Sequence, residues 1–264
     1  MVESQQYVLS LSYGKDSLAC LGAIEQLGLP LDRIVHAEVW ATPTIPADLP
    51  EMVEFKKKAD KIIKKRYGIE VEHLRSKWDY ETQFYGKFSK GRKAGEMYGF
   101  PLRQMPWCNS ILKAGVLDNA KKGCVSYVGI ASDEPNRFKV LNEKMRSPLV
   151  EANWSEQMCK KWCEENDLLS PIYTSSARGG CWFCHNQGVE QLRLLRKNHP
   201  NLWELFLKWD NDSPVSFHAD GRTVHDFDKR FAIEDEGIIS ENDKWKWSYL
   251  EDLPIQLKLN FKEN

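Results

Sequence analysis

The segment Ser12-Tyr13-Gly14-Lys15-Asp16-Ser17 has the residue types to bind a phosphate chain. It lies between an apolar run, Tyr7-Val8-Leu9-Ser10-Leu11, and a stretch in which Leu21, Ile24 and Leu27 recur at helical spacing. A glycine-containing turn that feeds a helix points several backbone N–H groups at one small volume, together with the positive end of the helix dipole. The Ser12 and Ser17 hydroxyls add donors, and Lys15 adds charge. The spacing is that of neither the Walker loop nor the dinucleotide fingerprint. An ordinary strand-to-helix turn, with Asp16 as a capping residue, accounts for the six residues equally well.

The cysteines are the second source of chemistry. Cys181 and Cys184, two residues apart on the Gly179-Gly180 knuckle, make half of a metal site, because this spacing lets both thiolates face one ion. A thioredoxin-like redox pair is a rival reading, but such a pair belongs early in its domain, at the start of a first helix. Two buried thiols is the third reading. His185, Cys124, Cys159 and Cys163 are further ligand candidates. Cys159 and Cys163 stand four apart on one helix face, where packing is the simpler role, and Cys20 falls in the core of the first helix. His218, His225 and Asp226 lie in a turn-rich tail that explains them without a metal. Arg103, Arg137, Arg146 and Arg178 are each near an expected loop, and guanidinium forks suit phosphate or sulfate. Arg178, beside the knuckle, stands out.

Elements that would position these groups follow from periodicity. Tyr7 to Leu11, Ile34 to Val39, Ile69 to Leu74 and Val125 to Ile130 read as buried strands, with Pro171 to Tyr173 a last short one. Helices fall between them. Gly28 caps the first. Asp48 is placed to cap the second, with Glu51 completing a capping box. The stripe of that helix is Met52, Phe55, Ala59, Ile62 and Ile63, and its solvent face carries Lys56, Lys57, Lys61, Lys64 and Lys65. Residues 76–107, interrupted by Gly86, Gly91, Gly95 and Gly99, read as an excursion over the sheet edge, and Ser110 to Lys121 returns to helix. Ser155 caps a helix over 156–166. Two more helices occupy about 188–198 and 201–210, the second striped by Leu202, Leu205, Phe206 and Trp209. Phe227, Phe231, Trp245, Trp247 and Tyr249 pack the tail on the body. Strand, helix, strand, helix, strand implies a doubly wound, mostly parallel α/β sheet. The expected division is a nucleotide-binding domain over 1–187, with its metal knuckle at 179–188, and C-terminal helices and a docked tail over 188–264.

Composition bounds the function. There are 37 Lys+Arg against 38 Asp+Glu, a net charge of −1, so no global field holds nucleic acid, although a local patch is compatible with the sequence. The 10 Trp, 9 Tyr and 11 Phe need a packed interior, which excludes disorder as the main state. No apolar run approaches the ~18 residues of a membrane span. The first residues lack a secretory pattern, and seven cysteines is an odd, unevenly spread set. The expectation is a cytoplasmic protein with thiols or metal ligands and no disulfide framework.

The loop resembles the S-G-G-x-D-S element of the PP-loop ATP pyrophosphatase superfamily, which contains the phosphoadenosine phosphosulfate (PAPS) reductases. Tyr13 replaces the commoner glycine, which removes some backbone freedom and leaves the later N–H donors in place. Trp107-Cys108-Asn109 with Lys113 resembles that family's W-C-x-x-x-x-K segment. Val128-Gly129-Ile130-Ala131-Ser132-Asp133-Glu134 with Arg137 resembles its G-I-R-x-x-E-x-x-R stretch, with Ala131 in place of the first arginine. Ser147-Pro148-Leu149, Trp154 to Trp162 and Pro171-Ile172-Tyr173 echo its later pattern. Gly180-Cys181-Trp182-Phe183-Cys184 resembles its G-C-x-x-C-P element, with His185 at the proline. The resemblance spans about residues 5–190.

That resemblance implies an adenine nucleotide alpha-hydrolase-like fold and an enzyme that uses ATP and Mg²⁺. Such an enzyme cleaves between the α and β phosphates, adenylates an acceptor and releases pyrophosphate. It places the adenine near Val39 and Trp40, and Gly129, Arg137 and Arg178 facing the phosphates or acceptor. Asp16 would orient the loop or hold Mg²⁺. It sets Cys108 beside the knuckle as third metal ligand. With His185 as fourth, the Cys₃His set favours zinc over an iron–sulfur cluster, which takes four thiolates. A PAPS-type reductase is the alternative, but the reactive cysteine of its C-terminal tail is missing, since no cysteine follows Cys184. A non-catalytic module binding nucleic acid or protein is a further alternative, and oligomerisation is left open. The acceptor is not named by the sequence.

Overall fold

The computed structural model describes residues 5–102, 106–175 and 179–244. The chain packs as two compact units, Met1–Thr82 with Trp107–Cys181, and Gln83–Pro106 with Trp182–Asn264. The boundary cuts the Cys-x-x-Cys knuckle between Cys181 and Trp182.

The first unit is built on five parallel strands, β1 (Tyr7–Ser10), β2 (Arg33–Glu38), β3 (Val71–Arg75), β4 (Val125–Tyr127) and β5 (Met145–Arg146), in the order β3-β2-β1-β4-β5. Helices α1 (Lys15–Leu27) and α2 (Pro50–Tyr67) carry the chain from β1 outward to β3. It then returns past β1 to β4 through α3 (Tyr80–Phe84), α4 (Trp107–Asn109), a π-helical stretch over Ser110–Ala114 and α5 (Gly115–Ala120). The direction of winding therefore reverses between β1 and β4, and right-handed crossovers place the returning helices on the opposite face. This is the doubly wound, mostly parallel α/β fold expected from the sequence.

One cluster holds α1, α2, α6 (Pro148–Glu151) and α7 (Glu156–Glu165) on the sheet: Leu18, Leu21, Met52, Phe55, Ala59, Ile63, Leu149, Cys159 and Cys163 pack with Leu9 and Ile34 of the strands. α7 approaches α1 so closely that a Cβ on Gly22 would lie 2.4 Å from the Trp162 indole. Gly28 ends α1 in the left-handed conformation (φ 60°), its N–H donating to Glu25 and that of Leu29 to Ile24. Ser155 caps α7, accepting from the Met158 N–H.

Several expectations are corrected. Asp48 does not cap α2: the N-cap is Leu49, without a side-chain bond, and Pro50 starts the helix. Lys56 is not on the solvent face but is 6% exposed, and its partner is Asp48. Pro171 to Tyr173 is no strand. The segment enters α8 (Ile172–Ser175), and the fifth strand is Met145–Arg146, too short to show a period. Among the described residues no helix is long and apolar enough to cross a membrane.

The second unit contains α9 (Val189–Asn198), α10 (Pro200–Asp212) and α11 (Val224–Asp235). Trp203, Phe206 and Trp209 form the buried stripe of α10, rotated from the Leu202 and Leu205 expected. Trp182 stacks on Trp209 with centroids 5.4 Å apart, and Phe84, Phe100, Phe206 and Phe217 pack around them edge to face or tilted. α11 was hidden in the turn-rich tail, although Thr223 and Asp226 form a reciprocal capping box at its start. Its Phe227 and Phe231 are buried as expected. Trp245, Trp247 and Tyr249 lie outside the described residues.

Candidate functional site

All five strands are parallel, so the loops after β1, β2 and β4 emerge at one edge, and the reversal between β1 and β4 opens a crevice there. The segment 11–14 joins β1 to α1 at this point. The Ser17 hydroxyl closes it: it accepts from the Ser12 N–H (3.1 Å) and the Ser12 hydroxyl (3.0 Å) and donates to the Gly14 carbonyl (3.0 Å). Both serines, expected as phosphate donors, are thus engaged with each other as a brace. Gly129 supports the loop from β4. A Cβ there would lie 2.6 Å from the Ser17 nitrogen and 2.8 Å from the Asp16 carbonyl carbon, so only glycine lets the strand end approach the first turn of α1.

Tyr13 takes the left-handed conformation (φ 58°). That explains why glycine suits this position, and for tyrosine it costs on the order of 1–3 kcal/mol. The ring is fully buried. Its hydroxyl donates to Asp60 of α2 and lies 3.2 Å from His73 Nε2 on β3. His73 Nε2–H donates to Asp60 at 2.9 Å. Burial, and then the Asp60 carboxylate, push the Tyr13 phenol far up, so it stays a donor. Behind it, His36 Nδ1–H donates to the Leu11 carbonyl at 2.8 Å, leaving Nε2 to accept from Lys56 Nζ at 2.8 Å. Burial and the neighbouring Lys56 charge hold His36 neutral, well below the usual histidine range.

At the front, the backbone N–H groups of Tyr13, Gly14 and Asp16 meet no acceptor among the described residues, whereas that of Lys15 donates to the Tyr173 hydroxyl at 3.0 Å. Lys15 Nζ pairs with Asp16 (2.8 Å) and Glu156 (2.9 Å). Burial works to lower its pKa, but these two carboxylates outweigh it and hold the ammonium charged. Burial raises the Asp16 carboxyl against the opposing pull of Lys15. Cys163 Sγ donates to the Lys15 carbonyl at 3.3 Å, and burial pushes the Cys159 and Cys163 thiols up to about 12. They are packing groups and not nucleophiles.

Two cavities flank the loop. The smaller, about 250 Å³, reaches from Ser12 and Gly14 past Val39 to His36, Asp48 and Lys56. The larger, about 580 Å³, lies on the β4 side against Ser12, Asp16, Gly129 and Arg137. Val39 lines the smaller cavity. Trp40 turns elsewhere, its indole N–H donating to Glu38 and its ring under the Arg75 guanidinium at 4.2 Å. Arg137 is held by Glu134 at 2.8 Å. Arg178 lies outside the described residues.

Among the described residues no three His, Cys, Asp or Glu side chains gather as a metal-holding group, and no disulfide is found. Cys108 and Cys181 belong to the first unit, Cys184 and His185 to the second. The residues that sequence reading missed are Asp48, Lys56, Asp60, His36, His73 and Tyr173. For Lys56 a signal existed: with Met52, Phe55 and Ala59 it completes the i, i+3, i+4, i+7 stripe.

No protein-family model and no curated protein matches the chain. Among solved structures, it is similar to the U34-tRNA thiolase NcsA from Methanococcus maripaludis with its 4Fe–4S cluster. That likeness is 14% in identity over 92% of this chain and 84% of that chain, with a TM-score of 0.39, too remote to bear on substrate or cofactor.

The histidines of the loop's anchor set a pH dependence. The Asp60 hydrogen bond leads in raising His73. Its contribution is therefore complete below the unfolded value of about 6.5 and is lost as pH rises through the higher folded value. His73→Gln should destabilise the protein more at pH 5.5 than at pH 9 in urea unfolding. An equal penalty at both would contradict the pairing.

Proposed function

We propose that this chain is a PP-loop enzyme that binds ATP, cleaves it between the α and β phosphates to adenylate an acceptor, and releases pyrophosphate. The observation that carries the reading is the set of unengaged N–H groups at Tyr13, Gly14 and Asp16, beside the Lys15 ammonium, at the reversal of the sheet. An ordinary helix start gives its first N–H groups to water; what favours a polyanion here is their convergence with the Lys15 ammonium at the reversal of the sheet.

In this reading the nucleoside enters the cavity at Val39 and the acceptor enters the larger cavity beside Arg137. The acceptor's lone pair forms the new bond to the α phosphorus. The α–β bridging bond breaks, and its electrons leave on pyrophosphate. Charge that grows on the leaving group is met by fixed N–H dipoles and Lys15, which need no reorganisation as it develops. Arg137 would exchange Glu134 for the substrate. Asp16, now paired with Lys15, would be the carboxylate that holds Mg²⁺, which would further screen the phosphates. Tyr173 fixes the Lys15 N–H and so the pitch of the first turn.

Lys15→Ala should keep the fold and weaken ATP binding by at least about tenfold, the scale of one charge-assisted contact. Equal affinity in wild type and variant, by calorimetry, would remove the assignment.

A further inference from the structure

Lys56 is an ammonium more than nine-tenths buried in the wall of the smaller cavity. Of its three N–H groups, one goes to His36 Nε2 at 2.8 Å and one to Asp48 Oδ2. The third meets no oxygen or nitrogen acceptor among the described residues. The nearest aromatic surface is the Tyr13 ring, with its centroid 5.2 Å away. Asp48 likewise engages only one of its two oxygens. Every neighbour is fixed. His36 is locked as an acceptor by its bond to Leu11, and the Tyr13 hydroxyl is committed to Asp60. The cavity wall thus presents one unspent donor beside one unspent acceptor. Leu11, Ala37, Val39, Ala47 and Met52 give this end of the cavity an apolar wall, and Lys113, Ser12 and Cys181 also line it. A flat heteroaromatic ring with adjacent donor and acceptor atoms matches the apolar wall and the donor–acceptor pair together, whereas a phosphate has no donor for the Asp48 carboxylate.

We propose that Asp48 and Lys56 are the base-specificity residues of this protein, with the free Asp48 oxygen accepting from the 6-amino group of adenine and the free Lys56 N–H donating to the neighbouring ring nitrogen. The proposal rests on the ATP reading above and adds the groups that choose the base. A 6-oxo purine offers the reverse order, an acceptor at position 6 beside an N–H, and sets its oxygen against the carboxylate. Leaving the buried ammonium unpaired against a base that lacks the acceptor also costs binding.

The test measures the affinity of the full chain for ATP, GTP, purine riboside triphosphate (which lacks the 6-amino group) and pyrophosphate. Wild type should bind ATP at least about tenfold more tightly than either other nucleotide. Lys56→Met strands Asp48, and the loss of one partner of a buried pair can impair folding. The double variant Asp48→Asn with Lys56→Met, which removes both charges at nearly constant shape, is therefore measured beside it. In the folded variants the three nucleotides should converge, while pyrophosphate, which contacts the loop alone, keeps its wild-type affinity. A double variant that retains the preference for ATP overturns the proposal, as does a wild type that binds pyrophosphate but shows no preference. A wild type that binds neither pyrophosphate nor ATP overturns the loop reading beneath it as well.

Discussion

The hydrogen bond from the Tyr13 hydroxyl to Asp60 holds a residue other than glycine in a left-handed backbone at the turn where β1 becomes α1. Without it the chain would relax toward the ordinary φ < 0 region, and the N–H groups of Tyr13 and Gly14 would point elsewhere. The burial of a full aromatic ring offsets the backbone cost. His73 holds Asp60 from the neighbouring strand, and Gly129 lets β4 press against the first turn of α1 from the other side. The loop is thus fixed from α2, from β3 and from the segment after β4 before any ligand arrives.

The same anchor explains why charge is tolerated so deep in the unit. Asp48, Lys56, Asp60 and His73 alternate in sign, and a neutral His36 sits among them. Lys56 is the buried charge of this set, the others being partly exposed; a buried charge persists only when it is paired, and here pairing leaves one Lys56 N–H and one Asp48 oxygen over. Lys15, Asp16 and Glu156 form a parallel cluster at the front of the loop. The loop therefore runs between two clusters of paired charge, one beside the smaller cavity and one, with two carboxylates to one ammonium, at its front.

Much of the first unit was legible because its signals are local. Apolar runs gave β1 to β4, helical spacing and Gly28 gave α1, Ser155 gave the start of α7, and the 12–17 hexapeptide marked the turn from β1 into α1. What the sequence did not show depends on pairing across distance. Lys56 reads as a surface lysine until Asp48 and His36, 8 and 20 residues away, are seen to neutralise and accept from it. Asp48 reads as a helix cap for the same reason. Ser12 and Ser17 read as ligands for phosphate until they are found bonded to each other. β5 has two residues and no period, and α11 sits among prolines, glycines and charged residues that mask its capping box.

The account turns on whether the backbone N–H groups of the loop receive phosphate. Amide resonances of uniformly ¹⁵N-labelled protein, followed while pyrophosphate and then ATP are added, test this directly. The account predicts that the Tyr13, Gly14 and Asp16 amides shift with both ligands, while residues such as Phe55 and Ile63 in the α2 core shift with neither. Saturating ATP that leaves those three amides unmoved, or that moves only surface lysines, would contradict it.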